Sequence, residues 1–155
     1  GIDNPTWASD VDGISNGSYG LNLTLREMVK LGQLYLQDGK SNDLQLLSSE
    51  WINKATSNQI NSGGNSYGYL WWPTGNGYLA LGLGGQIIAV FPNQQLVIGS
   101  HSYPYSNNNH FSGLMDIIFS MIFPIFDISA NLLNHQLSIE DIINMKKIAI
   151  SEGIK

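Results

Sequence analysis

The sequence predicts an α+β fold in which an antiparallel sheet of three to four strands is flanked by helices. Three observations lead there. Capped segments with helical apolar spacing fill the first third of the chain, runs rich in Tyr, Trp, Ile and Val occupy 67–101, and apolar helical patterns return beyond 110. The 155 residues suffice for one ordinary core.

The first helix is expected from Thr24 to Gly39. Thr24 and Glu27 have capping-box spacing, Leu25, Met28, Leu31, Leu34 and Tyr35 recur at helical intervals, and Gly39 supplies a stop. A shorter helix begins at Ser48 or Ser49, because either can cap, Glu50 suits the first turn, and Trp51, Ile52 and Ala55 share a face. Asn58 to Ser66 reads as a polar, glycine-containing loop.

Strands are expected near Tyr67 to Trp72, Tyr78 to Leu81, Gln86 to Phe91 and Gln95 to Ser100, with turns at 73–77 and 92–94. The near-continuous apolar runs at 87–91 and 96–98 suit strands covered on both faces. After a polar loop at 106–110, Ser112 to Phe126 reads as an apolar helix that Pro124 kinks or ends. A last amphipathic helix starts at Ser138 and carries Ile139, Ile142, Ile143 and Ile150. No internal repeat, charged tail or domain-separating linker interrupts this order.

Composition excludes several functions. Charged residues make up 12%, against about 25% in a typical soluble domain. A net charge of -5 and a pI near 4.9 argue against a phosphate-binding surface, so nucleic acid is not an expected partner. With no cysteine, a disulfide framework, a thiolate zinc site and a cysteine nucleophile are all ruled out. The longest apolar stretch, Ile117 to Phe126, is broken by Ser120 and Pro124 and falls short of the roughly 18 residues a membrane span needs. The N-terminus has neither the basic start nor the apolar run of a signal peptide, and Gly1 in place of Met reads as a cut or processed end.

Catalytic content read from the residues alone is thin. His101, His110 and His135 are scattered and lack the close helical spacing of a zinc site, so no metal is expected. Asp10 and Asp12 sit in a Gly- and Ser-rich loop, where carboxylates form turns and caps. Gly82-Leu83-Gly84-Gly85-Gln86 links two strand runs. It has no Lys-Ser/Thr pair and no following helix, so it is neither a phosphate loop nor a dinucleotide fingerprint. Such glycines can build a bulged hairpin, or they can let a ligand approach backbone N–H groups. Tyr67, Tyr69, Trp71, Trp72 and Tyr78 alternate as core residues would, yet one or two could line a groove. That keeps open a non-catalytic module binding glycans or peptides through its aromatic sheet.

Several motifs occur in a telling order. Trp7-Ala-Ser-Asp10-Val-Asp12-Gly13 and Gly20-Leu-Asn-Leu-Thr24-Leu-Arg-Glu27-Met-Val-Lys-Leu-Gly32-Gln-Leu-Tyr-Leu36 come first. Ser49-Glu-Trp51-Ile, Tyr67-Gly-Tyr-Leu-Trp71-Trp72, Gly82-Leu-Gly-Gly85-Gln86 and Val90-Phe-Pro92 follow. Together they resemble the β-lactamase-related serine hydrolases, a family of class C β-lactamases, DD-peptidases, esterases and 6-aminohexanoate-dimer hydrolases. The resemblance runs from about Trp7 to Gly99.

That family uses a Ser-x-x-Lys nucleophile, a Tyr-x-Asn element and a Lys- or His-Thr-Gly-type strand. No Ser lies three residues before a Lys in this chain. Tyr105-Ser-Asn107 matches the second element by letters but stands after the Gly82 strand, out of the family's order, and reads as a turn. Ala80-Leu81-Gly82 occupies the place of the third element, as in the 6-aminohexanoate-dimer hydrolase branch, without a cation to pair a β-lactam carboxylate.

By resemblance, Leu83 N–H would be one oxyanion-hole donor, with Gly82, Gly84, Gly85, Gln86, Trp71 and Trp72 forming substrate-cleft walls. No cofactor is implied. Residues 1–155 are then a single partial domain, the C-terminal portion of a hydrolase cleaving an amide or ester, with 106–155 as a helical tail. The piece alone would be inactive, and a pseudo-hydrolase whose gene never carried Ser-x-x-Lys is a further reading. The family often works in bacterial envelopes. A part of a larger domain exposes faces that once packed elsewhere, so self-association is expected, and the low charge fits a piece drawn from a buried sheet.

Overall fold

The structure, a computed structural model, describes residues 1–62, 65–82, 84–102 and 110–126. The chain forms two compact units, Gly1–Leu114 and Met115–Lys155. Leu83, Tyr105 to Asn107, His135 and the helix expected from Ser138 lie outside the described residues.

In chain order the elements are β1 (Thr6–Trp7), β2 (Leu21–Asn22), α1 (Leu25–Leu36), β3 (Lys40–Ser41), β4 (Leu44–Gln45) and α2 (Ser49–Thr56). There follow β5 (Ile60–Ser62), β6 (Asn65–Tyr67), β7 (Trp72–Pro73), β8 (Tyr78–Leu81), β9 (Ile87–Phe91), β10 (Leu96–Ser100) and α3 (His110–Asp116). Strands β7, β8, β9 and β10 make a four-stranded antiparallel sheet in that order, and β1–β2, β3–β4 and β5–β6 are separate antiparallel pairs. The architecture is α+β, built from small antiparallel sheets and helices.

Helix α1 starts on the expected capping box. Thr24 Oγ1 accepts the Glu27 N–H at 3.3 Å, while Glu27 Oε2 accepts the Thr24 N–H at 2.8 Å. The Thr24 backbone and side-chain bonds hold the Glu27 carboxyl below its ordinary pKa. The helix closes before Gly39, whose N–H donates to Leu34 O at 2.8 Å from a φ of +78°. Helix α2 is capped by Ser48, whose Oγ accepts the Trp51 N–H at 3.1 Å. Ile52 and Ala55 are buried, but Trp51 turns outward and stacks on Tyr69 at 5.5 Å.

Two sequence expectations in the middle of the chain need correction. The stretch 58–66 is not all loop: β5 and β6 pair there, with Ser62 opposite Asn65 across Gly63-Gly64, a two-residue hairpin signal. Conversely, 67–72 is not one strand. The Tyr69 N–H donates to Ala55 O at the end of α2, and Leu70 takes a φ of +65°, so the ladder breaks between β6 and β7. Pro73 falls within β7, where an edge strand tolerates it.

Strand β9 is buried at all five positions, as its apolar run suggests. One face, carrying Ile88 and Val90, meets α1. Gly32 permits this, because a Cβ there would stand 2.6 Å from Val97 Cγ1 and 2.7 Å from Ile88 Cγ2. Strand β10 departs from expectation: it is half-buried throughout and, among the described residues, pairs only with β9.

Beside this contact Trp71, 3% exposed, packs on Tyr35 at 4.5 Å and edge-on to Tyr78 at 5.1 Å. Burial, then the neighbouring Tyr35 and Asp38, push the Tyr78 phenol up to about 12. A raised pKa means the native state holds its proton longer than the unfolded chain. The stability this confers is complete below about pH 10 and is lost as pH rises towards 12. Ultraviolet titration should show one tyrosine ionising late, coincident with alkaline unfolding. If all seven tyrosines ionise in one step near pH 10, the assignment fails.

After α3 the chain winds as a π-helix over Ile117–Ile122, with the Phe123 N–H donating to Ile118 O, and stays helical to Phe126. Pro124 therefore does not end the helix. The wide turn before it tolerates the missing N–H and accommodates the ring. Among the described residues no helix is long and apolar enough to cross a membrane.

Candidate active-site cleft

Two tight backbone contacts build one wall of the cleft. Gly20 adopts a φ of +84°, and a Cβ there would stand 2.4 Å from Ala8 Cβ. The Ala8 N–H donates to Gly20 O at 2.9 Å. With Trp7 opposite Leu21, these contacts fix the segment 18–23 against β1.

The facing wall is the turn between β8 and β9. Gly82 N–H donates to Gln86 O at 2.7 Å, Gly85 N–H to Gly82 O at 3.0 Å, and Gly84 N–H to Gln86 Oε1 at 3.0 Å. The Gln86 carboxamide fills the space that side chains at 82 and 84 would need: added Cβ atoms would lie 2.6 Å from its Oε1 and 2.7 Å from its Nε2. Gly85, at a φ of +81°, packs on Ser102 and Leu114. The end of β10 then brings up His101 and Ser102. His101 Nε2 lies 2.6 Å from the Sδ of the buried Met28 on α1.

Between these walls lies an open cleft of about 850 Å³, lined by residues 18–23 and by Gly82, Gly84, Gln86, His101 and Ser102. Among the described residues of its lining there is no Asp, Glu, Lys or Arg. Hydroxyl, phenol, carboxamide and imidazole groups supply its chemistry, as hydrogen-bond donors and acceptors able to bind and orient a ligand. Among the described residues no group of three or more His, Asp or Glu could hold a metal ion. Asp10 does turn-forming work, its Oδ1 accepting the N–H groups of Asp12 and Ile14.

The structure brings Gly82, Gly84 and Gln86 to the cleft and places Gly85 behind it. Trp71 lies in the aromatic core, and Trp72 packs half-buried against Tyr67 at 4.5 Å, so neither is among the lining residues. Sequence reasoning missed residues 18–23, His101 and Ser102. The Asp12-Gly13 and Asn16-Gly17 dipeptides, both hairpin signals, were the available pointers to the paired strand at 21–22.

The fold resembles that of a solved hydrolase. A Bacillus anthracis protein named as a candidate 6-aminohexanoate-dimer hydrolase matches with a TM-score of 0.61 and 27% identity, over 74% of this chain and 32% of that one. The chain thus matches about a third of the length of that neighbour. No family model and no curated protein matches the sequence. The neighbour supports a hydrolase-related lineage and a fold of the β-lactamase-like type.

Proposed function

We infer that this chain is the C-terminal portion of a β-lactamase-like serine hydrolase, most like the 6-aminohexanoate-dimer hydrolase and esterase branch. The parent would cleave an amide or ester through an acyl-enzyme. The structural likeness to a protein named for that activity carries the reading. The order of motifs from Trp7 to Pro92 and the cleft at the Gly82–Gln86 turn support it.

Within this reading the turn contributes one oxyanion donor. The resemblance to the family gives that role to the Leu83 N–H, while the N–H groups of Gly82, Gly84 and Gly85 are engaged inside the turn. A donor of this kind contributes about 2.7–4 kcal/mol to transition-state stabilisation. It acts only on an oxyanion that a nucleophile has created, and the chain has no Ser-x-x-Lys to supply one. The outer edge of β10, with one strand neighbour among the described residues, is a place where the piece could pair with a second copy.

The purified chain is expected to hydrolyse nitrophenyl esters no faster than buffer. A rate abolished by a serine-directed phosphonate would overturn this account of the chemistry. A glycan- or peptide-binding module resting on Trp71 and Trp72 has less support, because Trp71 is 3% exposed.

A further inference from the structure

We propose that Asn16-Gly17 is a spontaneous modification site, where the asparagine converts through a cyclic imide to aspartate and isoaspartate and so reshapes the cleft wall that begins at Ser18. The site is independent of the hydrolase reading. The chain carries two Asn-Gly pairs, Asn16-Gly17 and Asn76-Gly77. In both the glycine has no Cβ, so its nitrogen is open to the preceding carboxamide. Local sequence treats the two pairs alike, and the fold separates them.

At the first pair the attacking nitrogen is unengaged. The Gly17 N–H and the Asn16 carboxamide have no hydrogen-bond partner among the described residues. Gly17 is exposed, and a Cβ there would meet nothing within 4 Å. The exposed bond from Trp7 Nε1 to Asn16 O, 2.8 Å long, holds the oxygen of this peptide unit and leaves its nitrogen free. At the second pair the Gly77 N–H donates to Thr74 Oγ1 at 3.1 Å and the Asn76 N–H donates to the same oxygen at 3.3 Å. Gly77 O accepts the Thr74 N–H at 2.7 Å, and an added Cβ at Gly77 would collide with Val90 O on β9. Bringing the Gly77 nitrogen onto Asn76 Cγ therefore requires the turn to open first.

Water is the one co-reactant. The Gly17 nitrogen gives its proton to solvent base and bonds to Asn16 Cγ, while the side-chain nitrogen leaves as ammonia. Water then opens the imide at Cγ, giving aspartate, or at the main-chain carbonyl carbon, giving isoaspartate with the backbone one carbon longer. That carbon enters a closed segment: the Asn16 N–H donates to Ala8 O and the Ala8 N–H donates to Gly20 O, both at 2.9 Å. Ser18 and Tyr19, which line the cleft, lie between those two anchors and must shift.

The test is to age the purified 155-residue chain in mildly alkaline buffer, folded and in urea, and to follow each site by mass in chymotryptic peptides 8–19 and 72–78, which hold one asparagine apiece. In the folded chain Asn16 should convert at least about tenfold faster than Asn76, and in urea the two rates should agree within about threefold. Thr74→Val should raise the folded Asn76 rate at least about fivefold. Isoaspartate at position 16 should move the amide resonances of Ser18 and Tyr19 and leave those of Ala89 and Val90 unchanged. Equal folded rates, a ratio that persists in urea, an Asn76 rate indifferent to Thr74→Val, or unmoved Ser18 and Tyr19 resonances would each overturn the proposal.

Discussion

Trp71→Ala should destabilise the Gly1–Leu114 unit by about 3–5 kcal/mol, a large part of the roughly 5–15 kcal/mol that holds a domain folded. The indole is 3% exposed and touches Tyr35 at 4.5 Å and Tyr78 at 5.1 Å. Removing it leaves a hole lined by two rings that are themselves fixed by α1 and β8, so the site cannot collapse to fill it. Trp72 gives the internal comparison. It is half-buried against Tyr67, and Trp72→Ala should cost about 1–2 kcal/mol. Urea titration of both variants reads the difference as a shift in midpoint, provided the slope is unchanged. If Trp71→Ala unfolds within about 1 kcal/mol of the parent chain, the indole is not a core residue and a ligand-facing role for it returns.

That comparison shows what the sequence could and could not reveal. The alternation of aromatic residues over 67–72 favours one strand with rings on two faces, but it cannot show that Ala55 O captures the Tyr69 N–H and ends the strand. Local signals were legible wherever the partner lies within a few residues. The Thr24–Glu27 box, the Ser48 cap, the stop at Gly39 and the apolar run of β9 all appear in the structure near the expected positions. The cleft was half legible. The glycine turn announces itself by composition, whereas its facing wall depends on Gly20 meeting Ala8, a contact just beyond the paired ends of two strands of two residues each. Hydrophobic periodicity carries almost no signal over so short a span. The π-helical stretch before Pro124 was invisible for the opposite reason: the sequence does announce a break, and the backbone absorbs it by widening.

Gly32→Leu should have a comparable effect by overfilling a contact. A bare Cβ at this position would already meet Val97 Cγ1 at 2.6 Å and Ile88 Cγ2 at 2.7 Å. Those methyls belong to β-branched side chains, which have few alternative rotamers, so the neighbours cannot swing away. Helix α1 must lift off β9 and β10 instead. Gly32→Ala removes the entropic penalty of a mid-helix glycine, about 1 kcal/mol, but meets the same clash, and should come out net destabilising. Leucine adds three further carbons and should cost about 3 kcal/mol, at the upper end for overpacked cores.

The consequence should reach the cleft. Met28 lies one turn before Gly32 on the same helix, and its Sδ contacts His101 Nε2 at 2.6 Å. Lifting the helix separates that pair, so the His101 ring nitrogen resonances should change in Gly32→Leu while those of a surface substitution such as Leu44→Ala do not. Loss of stability with unchanged His101 resonances would show that the helix accommodates leucine without moving at Met28. In that case the cleft wall and the helix–sheet contact would be independent of one another.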